Sequence, residues 1–401
     1  MPVQLVTSHS LLVTSSFPLM PEITNQSSAS QAKSNRLPPP VRITDQVWPE
    51  GTVPVVSICC ITYQHVNFIR DAIEGFLMQE TTFPVEIFIH DDASTDGTAE
   101  IVKEYAEKYP KLFWTVLQTE NQWSKGAPNA YFFGLIQKQR GEFIALCEGD
   151  DYWISKEKLQ KQVEILHQDS SVGLVFHNSW VKHEESRRDY FMNCGINKKR
   201  FVLEDIIERE WFIGTASIVY RRNSPLPTEI TEYSIVGDML IQMNACKECA
   251  AVYLDQVCSV YRRHANGVSE ELWQIGDFHY EKFRPNNIWM YWLLSERVLP
   301  QSSKEAIERR IRKIIDGILT YAIMHKRISR SRDCLNKYLL EILLKNKPDF
   351  LSANYIQACT PLGGIVETQF RTFWRAHRKR QARNTLQRFF SPIRALFHKF
   401  E

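Results

Sequence analysis

The stretch Glu148-Gly149-Asp150-Asp151, directly after the apolar run Phe143-Ile144-Ala145-Leu146-Cys147, is the part of this chain best equipped for chemistry. Like charges held a few ångströms apart repel unless a cation or a proton sits between them. Hard oxygen ligands at that spacing suit Mg²⁺ or Mn²⁺, and such an ion in turn suits a diphosphate. Read this way, the cluster is a metal–nucleotide site. A solvated loop is the plainer reading, and the position behind a buried strand argues against it.

The elements that must position these acids follow from periodicity. Residues 53 onwards alternate strand and helix signals. Val55 to Ile61 is an apolar, β-branched run, and Val85 to His90 is a second; Leu112 to Leu117 and Phe143 to Cys147 follow. Between them, Asn67 to Gln79 places Phe68, Ile69, Ala72, Ile73, Phe76 and Leu77 on one helical face. Further helices are expected around Ile101 to Ala106 and Ala130 to Gln139. The second strand breaks at Asp91-Asp92-Ala93-Ser94-Thr95-Asp96-Gly97-Thr98, a turn and helix cap in which Asp96 and Thr98 read as capping residues. Such alternation implies an α/β fold with a mostly parallel sheet and helices on both faces. Ligands bind such sheets at the carboxyl ends of the strands, where the polar clusters converge.

The chain has 401 residues, enough for a full α/β core and a smaller second unit. With 44% hydrophobic and 24% charged residues it reads as globular, and a net charge of +3 is too small to imply nucleic-acid binding. The nine cysteines are odd in number and lie largely in apolar runs, which fits reduced thiols in a cytoplasm. Cys246 and Cys249 have metal-site spacing but no nearby second pair, so burial is the expected role. No stretch reaches the length of a membrane-spanning helix, and the N-terminal apolar stretch has no Lys or Arg before Lys33, which argues against a secretion signal. Residues 1–52 read as a disordered leader, 53–270 as the α/β domain, 271–348 as a helical region and 349–401 as a basic tail. Ser302 to Glu305 reads as a capping box ahead of Ile307, Ile311, Ile314, Ile315, Ile318 and Leu319 at helical spacing. A second helix near Leu335 to Leu344 is expected to pair with it.

The ordered motifs Val56-Ser57-Ile58-Cys59-Cys60-Ile61-Thr62-Tyr63-Gln64, Asp91 to Thr98, Glu148 to Asp151, Gly237-Asp238 and Tyr261-Arg262-Arg263-His264 together resemble family-2 glycosyltransferases of the GT-A fold. The likeness covers about half the chain. It implies transfer of a sugar from a nucleotide-diphosphate donor, expected to be a UDP-sugar, to an acceptor hydroxyl of a glycan or lipid-linked chain, with inversion. Residue by residue, the resemblance implies that Ile61, Thr62 and Tyr63 line base and ribose and that Asp92 hydrogen-bonds the base. Glu148 stands where the family usually has Asp, so its reach to the ribose is longer. Asp150 or Asp151 would hold the metal, Lys125 would stand in for a donor-contacting Arg, and Asp238 would be the general base. Arg262 and Arg263 could clamp phosphate and His264 could add a metal contact, with surface charges as the plain alternative.

The chemistry asks for such groups. Charge builds on the bridging oxygen as the sugar leaves, and a divalent cation neutralises it. The acceptor hydroxyl needs a carboxylate within about 3 Å to take its proton, and inversion puts that base opposite the leaving diphosphate. For Asp238 a helix N-cap is the rival role. His90 and His177 close apolar strands and read as core or turn residues; Tyr152 and Trp153 either stack on a sugar or fill the core rim. Other readings of the whole are a nucleotidyltransferase, which would show a Gly-rich loop after the first strand where Ile61-Thr62-Tyr63-Gln64-His65 stands, and a silent sugar- or partner-binding module. From Gln369 to Lys399 there are nine Lys or Arg and no acids, and basic and aromatic faces together suit either an anionic membrane surface or a protein partner, the first placing the enzyme at the inner face of the cell membrane.

Overall fold

The computed structural model describes residues 39–325, apart from 126–127, 185–187, 210, 223–224, 232–236, 266 and 268–278, together with Arg375. The expected helix near Leu335 to Leu344 and the basic tail lie outside the described residues, as does most of the leader. Among the described residues no helix is long and apolar enough to cross a membrane.

In chain order the strands are β1 (Val41–Arg42), β2 (Val56–Thr62), β3 (Glu80–Thr81), β4 (Val85–Asp91), β5 (Phe113–Leu117) and β6 (Phe143–Glu148). There follow β7 (Tyr152–Trp153), β8 (Val172–His183), β9 (Tyr190–Phe191), β10 (Arg200–Phe201), β11 (Val219–Arg221) and β12 (Ala250–Arg263). The main sheet runs in the order β10-β12-β8-β11-β6-β2-β4-β5. Strands β6, β2, β4 and β5 are mutually parallel, as the strand–helix alternation demands. β11 is antiparallel to both β6 and β8, which makes the whole sheet mixed. Three residues give too short a run for periodicity to reveal.

The helices are α1 (Ile69–Leu77), α2 (Thr98–Lys108), α3 (Pro128–Ile136), α4 (Lys158–Gln168), α5 (Leu203–Glu208), α6 (Thr228–Thr231), α7 (Gly237–Ala245), α8 (Arg284–Arg297) and α9 (Lys304–Met324). Alternate strand residues feed two cores. Ile58, Cys60, Ile87, Ile89, Ala145 and Cys147 pack with α1, α2 and α4. Cys59, Phe88, Ile144 and Leu146 face the other way, into the layer formed by α3, α5, α7, α8 and α9. Burial on both faces is what makes these strands unbroken apolar runs. The α9 residues Ile307, Ile311, Ile314, Ile315, Ile318 and Leu319 are all buried in that second core, so the helical region completes the sheet's covering layer. Each such isoleucine contributes about 2 kcal/mol of burial.

Structure begins ahead of Val53, where order was expected to start. β1 pairs with β3, Ile43 is fully buried, and Gln46 Nε2 donates to the Thr81 carbonyl at 2.9 Å. A two-residue strand leaves no periodic trace in the sequence.

Candidate functional site

After β5 the chain returns to the far side of β2 to form β6, so the direction of strand addition reverses between β2 and β6. A crevice opens at the carboxyl ends where such a reversal occurs. The register puts the polar residues there side by side: Ile61 opposite Glu148, and Thr62 opposite Asp91. Two backbone bonds extend the alignment past the strand ends, Asp92 N to Thr62 O at 3.0 Å and Gly149 N to Ile61 O at 2.8 Å. The turns carrying Asp92 and Asp150 are therefore both fastened to the end of β2.

Gly149 is needed for that closeness. A Cβ built on it would stand 2.5 Å from Thr62 Oγ1, 2.7 Å from Thr62 Cβ and 3.0 Å from His65 Nδ1. Gly149→Ala is expected to cost about 1–3 kcal/mol through this overpacking. Urea unfolding measures it, and an unchanged midpoint would refute the tight approach.

Asp150 is the centre of the site. Its Oδ2 lies 3.1 Å from His264 Nε2 and 3.7 Å from His65 Nε2. One ligand atom from each of the three residues falls within 4.8 Å of the others. Thr62 Oγ1 meets His65 Nδ1 at 3.2 Å and so leaves Nε2 facing the acid. Gln64, with φ at 57°, turns the backbone, and the loop is then clasped by Thr98 Oγ1 and Asp96 Oδ2, which accept from the His65 and Val66 amides at 2.9 and 3.0 Å. The capping residue of α2 is Gly97 and not the expected Asp96 or Thr98, although the other Asp96 oxygen accepts from Thr98 N at 3.0 Å. The His264 ring packs on Phe68 at 4.7 Å between centroids.

The electrostatics fit a cation. Burial alone would raise the Asp150 carboxyl, but the His264 hydrogen bond and the charge of His65 bring it below its ordinary value. Burial lowers His65, which favours the neutral ring with a lone pair to give. Two imidazoles and a carboxylate form a donor set that first-row divalent transition ions accept, Mn²⁺ among the weaker binders; Mg²⁺ prefers oxygen throughout.

Asp151, expected beside Asp150 as a metal ligand, is not among the atoms that meet there. It is fully buried, with Oδ1 accepting from the Arg262 amide at 2.8 Å and Oδ2 lacking a hydrogen-bond partner. Burial, then the charges of Asp150 and Glu148, push its carboxyl far up. Arg262, expected at a phosphate, is occupied within the fold. Its guanidinium bonds the Asp150 carbonyl at 3.0 Å, pairs with Asp71, lies 3.3 Å from Glu184 and stacks 4.2 Å over Tyr152. It ties β12 to the Asp150 loop and to α1. Arg263 is half-buried, and its carbonyl accepts from Glu184 N at 3.0 Å.

Asp92 is buried and turned toward the 121–123 loop, taking the Gln122 amide on Oδ1 at 2.7 Å and the Trp123 amide on Oδ2 at 3.0 Å. Tyr63 is exposed and Ile61 half-buried at the same strand end. Lys125 is exposed and paired with Glu120. His90, His177 and Trp153 are core residues, Trp153 donating its indole N–H to the Ala216 carbonyl at 2.9 Å.

Glu148 is half-buried, and burial together with the charges of Asp150 and Asp238 pushes its carboxyl up to about 8. Asp238, 90 residues away in sequence, is thus near enough for its charge to be felt at Glu148. Asp238 is the second residue of α7; its Oδ1 accepts from Met239 N at 2.8 Å and its Oδ2 from Trp211 Nε1 at 3.1 Å. Burial raises its carboxyl too. Sequence reasoning missed His65 and Trp211, which sit in stretches without periodicity.

The family model described as Glycosyl transferase family 2 matches residues 57–226, which run from the second residue of β2 past the end of β11. An uncharacterised protein of Mycobacterium tuberculosis is 37% identical over 213 residues, 53% of this chain and 60% of the relative. The chain thus spans about 60% of the length of the curated relatives it matches first. TuaG of Bacillus subtilis, named as a candidate teichuronic acid biosynthesis glycosyltransferase, is 22% identical over 259 residues, 64% of this chain and 98% of TuaG. Among solved structures, residues 1–349 of S. aureus TarS superpose with a TM-score of 0.50 at 16% identity, covering 81% of this chain and 91% of that one. Residues 57–226 thus resemble the family 2 glycosyltransferases, and the fold is that of the GT-A glycosyltransferase structures.

Proposed function

We propose that this protein is a metal-dependent, inverting glycosyltransferase that moves a sugar from a nucleotide diphosphate, a UDP-sugar, to the hydroxyl of a glycan or lipid-linked acceptor. The observation that carries the reading is Asp150 between His65 and His264, beside the carboxyl of Glu148 that feels the charge of Asp238. In this reading the three residues around Asp150 hold the cation, which when bound neutralises charge on the leaving diphosphate. Ile61, Thr62 and Tyr63 line the nucleoside end, and Glu148 reaches toward the ribose. Asp92 fixes the loop 121–123 that closes over the nucleoside. Asp238 takes the proton of the acceptor hydroxyl as it attacks the anomeric carbon. Its place on α7, away from the acidic loop, suits a base opposite the leaving group. The name of TuaG favours surface-polysaccharide assembly as the setting.

A melting panel of UDP-, GDP- and dTDP-sugars with and without Mn²⁺ tests this. The donor is expected to raise Tm by about 5 °C at a hundredfold excess over Kd, and only with the metal. A panel in which no nucleotide sugar moves Tm would sink the donor site.

A further inference from the structure

The carboxylate of Asp238 hangs on a terminal torsion whose well is broad, so one hydrogen bond does not fix it. The Met239 amide on Oδ1 is a contact made by the next residue of the same helix. The Trp211 indole N–H on Oδ2 comes from 27 residues away, in the loop after α5. Trp211 is itself held: its ring leans on the buried Tyr261, with centroids 5.2 Å apart at 60°. Tyr261 belongs to β12, three residues before His264. A chain of contacts thus runs from the acid on α7, through one indole, to the strand that delivers His264.

Resting on the reading of Asp238 as the base, we propose that Trp211 is its positioning residue. The indole N–H and the Met239 amide each hold one lone pair, stop the carboxylate from turning, and leave the remaining lone pairs for the hydroxyl proton. The Tyr261 stack sets the indole, so base and cation site keep a constant separation. Burial disfavours the charged form of Asp238, and the indole donor offsets part of that cost.

The full-length Trp211→Phe protein retains the aromatic packing and lacks only the donor. Its kcat is expected to fall about tenfold with the donor KM within about twofold, using the nucleotide sugar the melting panel selects. Independently of turnover, the ¹⁵N-labelled indole cross-peak that vanishes in Trp211→Phe is expected to shift in Asp238→Ala. A kcat within twofold of wild type, or a cross-peak unmoved by Asp238→Ala, overturns the proposal. If Trp211→Phe does not fold, the indole peak is assigned in the wild-type protein through its sequential connectivities to Phe212, and its shift in Asp238→Ala decides alone. Full turnover in Asp238→Asn would instead remove the base assignment, a failure the indole shift does not share.

Discussion

Asp238→Asn is expected to lower kcat about a thousandfold while donor KM stays within about twofold, the pattern of a group used only in the transition state. The amide has nearly the shape of the carboxylate but cannot take the acceptor proton. Its fit is imperfect for a definite reason. Two N–H donors converge on the native carboxylate, from Trp211 and Met239, and an amide offers them one oxygen and one NH₂. A stability loss of about 1–2 kcal/mol should accompany the substitution, visible in urea unfolding. The wild-type pH profile carries a second check. Burial raises the Asp238 carboxyl, and the ionised form is the active one. Turnover should therefore fall on the acid side at a higher pH than an ordinary Asp would produce. Full activity in Asp238→Asn, folded and with the same acid limb, would exclude this residue as the base.

The sequence revealed most where burial imposes a simple pattern. β2, β4 and β6 are covered on both faces, so they appear as apolar runs, and the acids that end them stand out. It revealed least where a side chain's partner is distant along the chain. Arg262 looks like an anion clamp beside a histidine, yet its guanidinium is held by Asp71, 191 residues earlier, and by Glu184. Asp92 was expected to read a base, and its two oxygens serve amides about 30 residues later. His65 belongs to a loop with no period; only the left-handed Gln64 and the clasp from Asp96 and Thr98 bring it to Asp150. Asp150 and Asp151 are equivalent as letters. One faces the histidines and the other the Arg262 amide, just ahead of the two-residue β7 that pairs with β12. The cysteine pair 246 and 249 shows the reverse case, a suggestive spacing with a bland outcome. Cys246 is buried in the core, and Cys249 Sγ lies 3.9 Å from the Ser170 carbonyl.

That difference between the two neighbouring acids gives the last large effect. In titrations of the whole protein with Mn²⁺ alone, followed by the EPR of the free ion, Asp150→Ala is expected to abolish binding. His65→Ala and His264→Ala should each weaken it about a hundredfold, since even the loss of an outer partner of a metal ligand costs 10–100-fold. Asp151→Asn should leave affinity within about threefold, because a buried, protonated carboxyl and an amide present nearly the same shape and charge. Protons compete with the metal for both imidazoles, so affinity should fall as pH drops. Burial holds His65 below its usual value, and that competition is therefore delayed to lower pH at His65 than at a solvent-exposed histidine. Thr62→Ala supplies a finer test, as it removes the hydroxyl that meets His65 Nδ1 and leaves the ring free to turn its Nε2 from Asp150. A loss of affinity of about tenfold is expected there. If Asp151→Asn abolished Mn²⁺ binding while His65→Ala left it intact, the cation would sit on the carboxylate pair, and the two-histidine centre would be wrong.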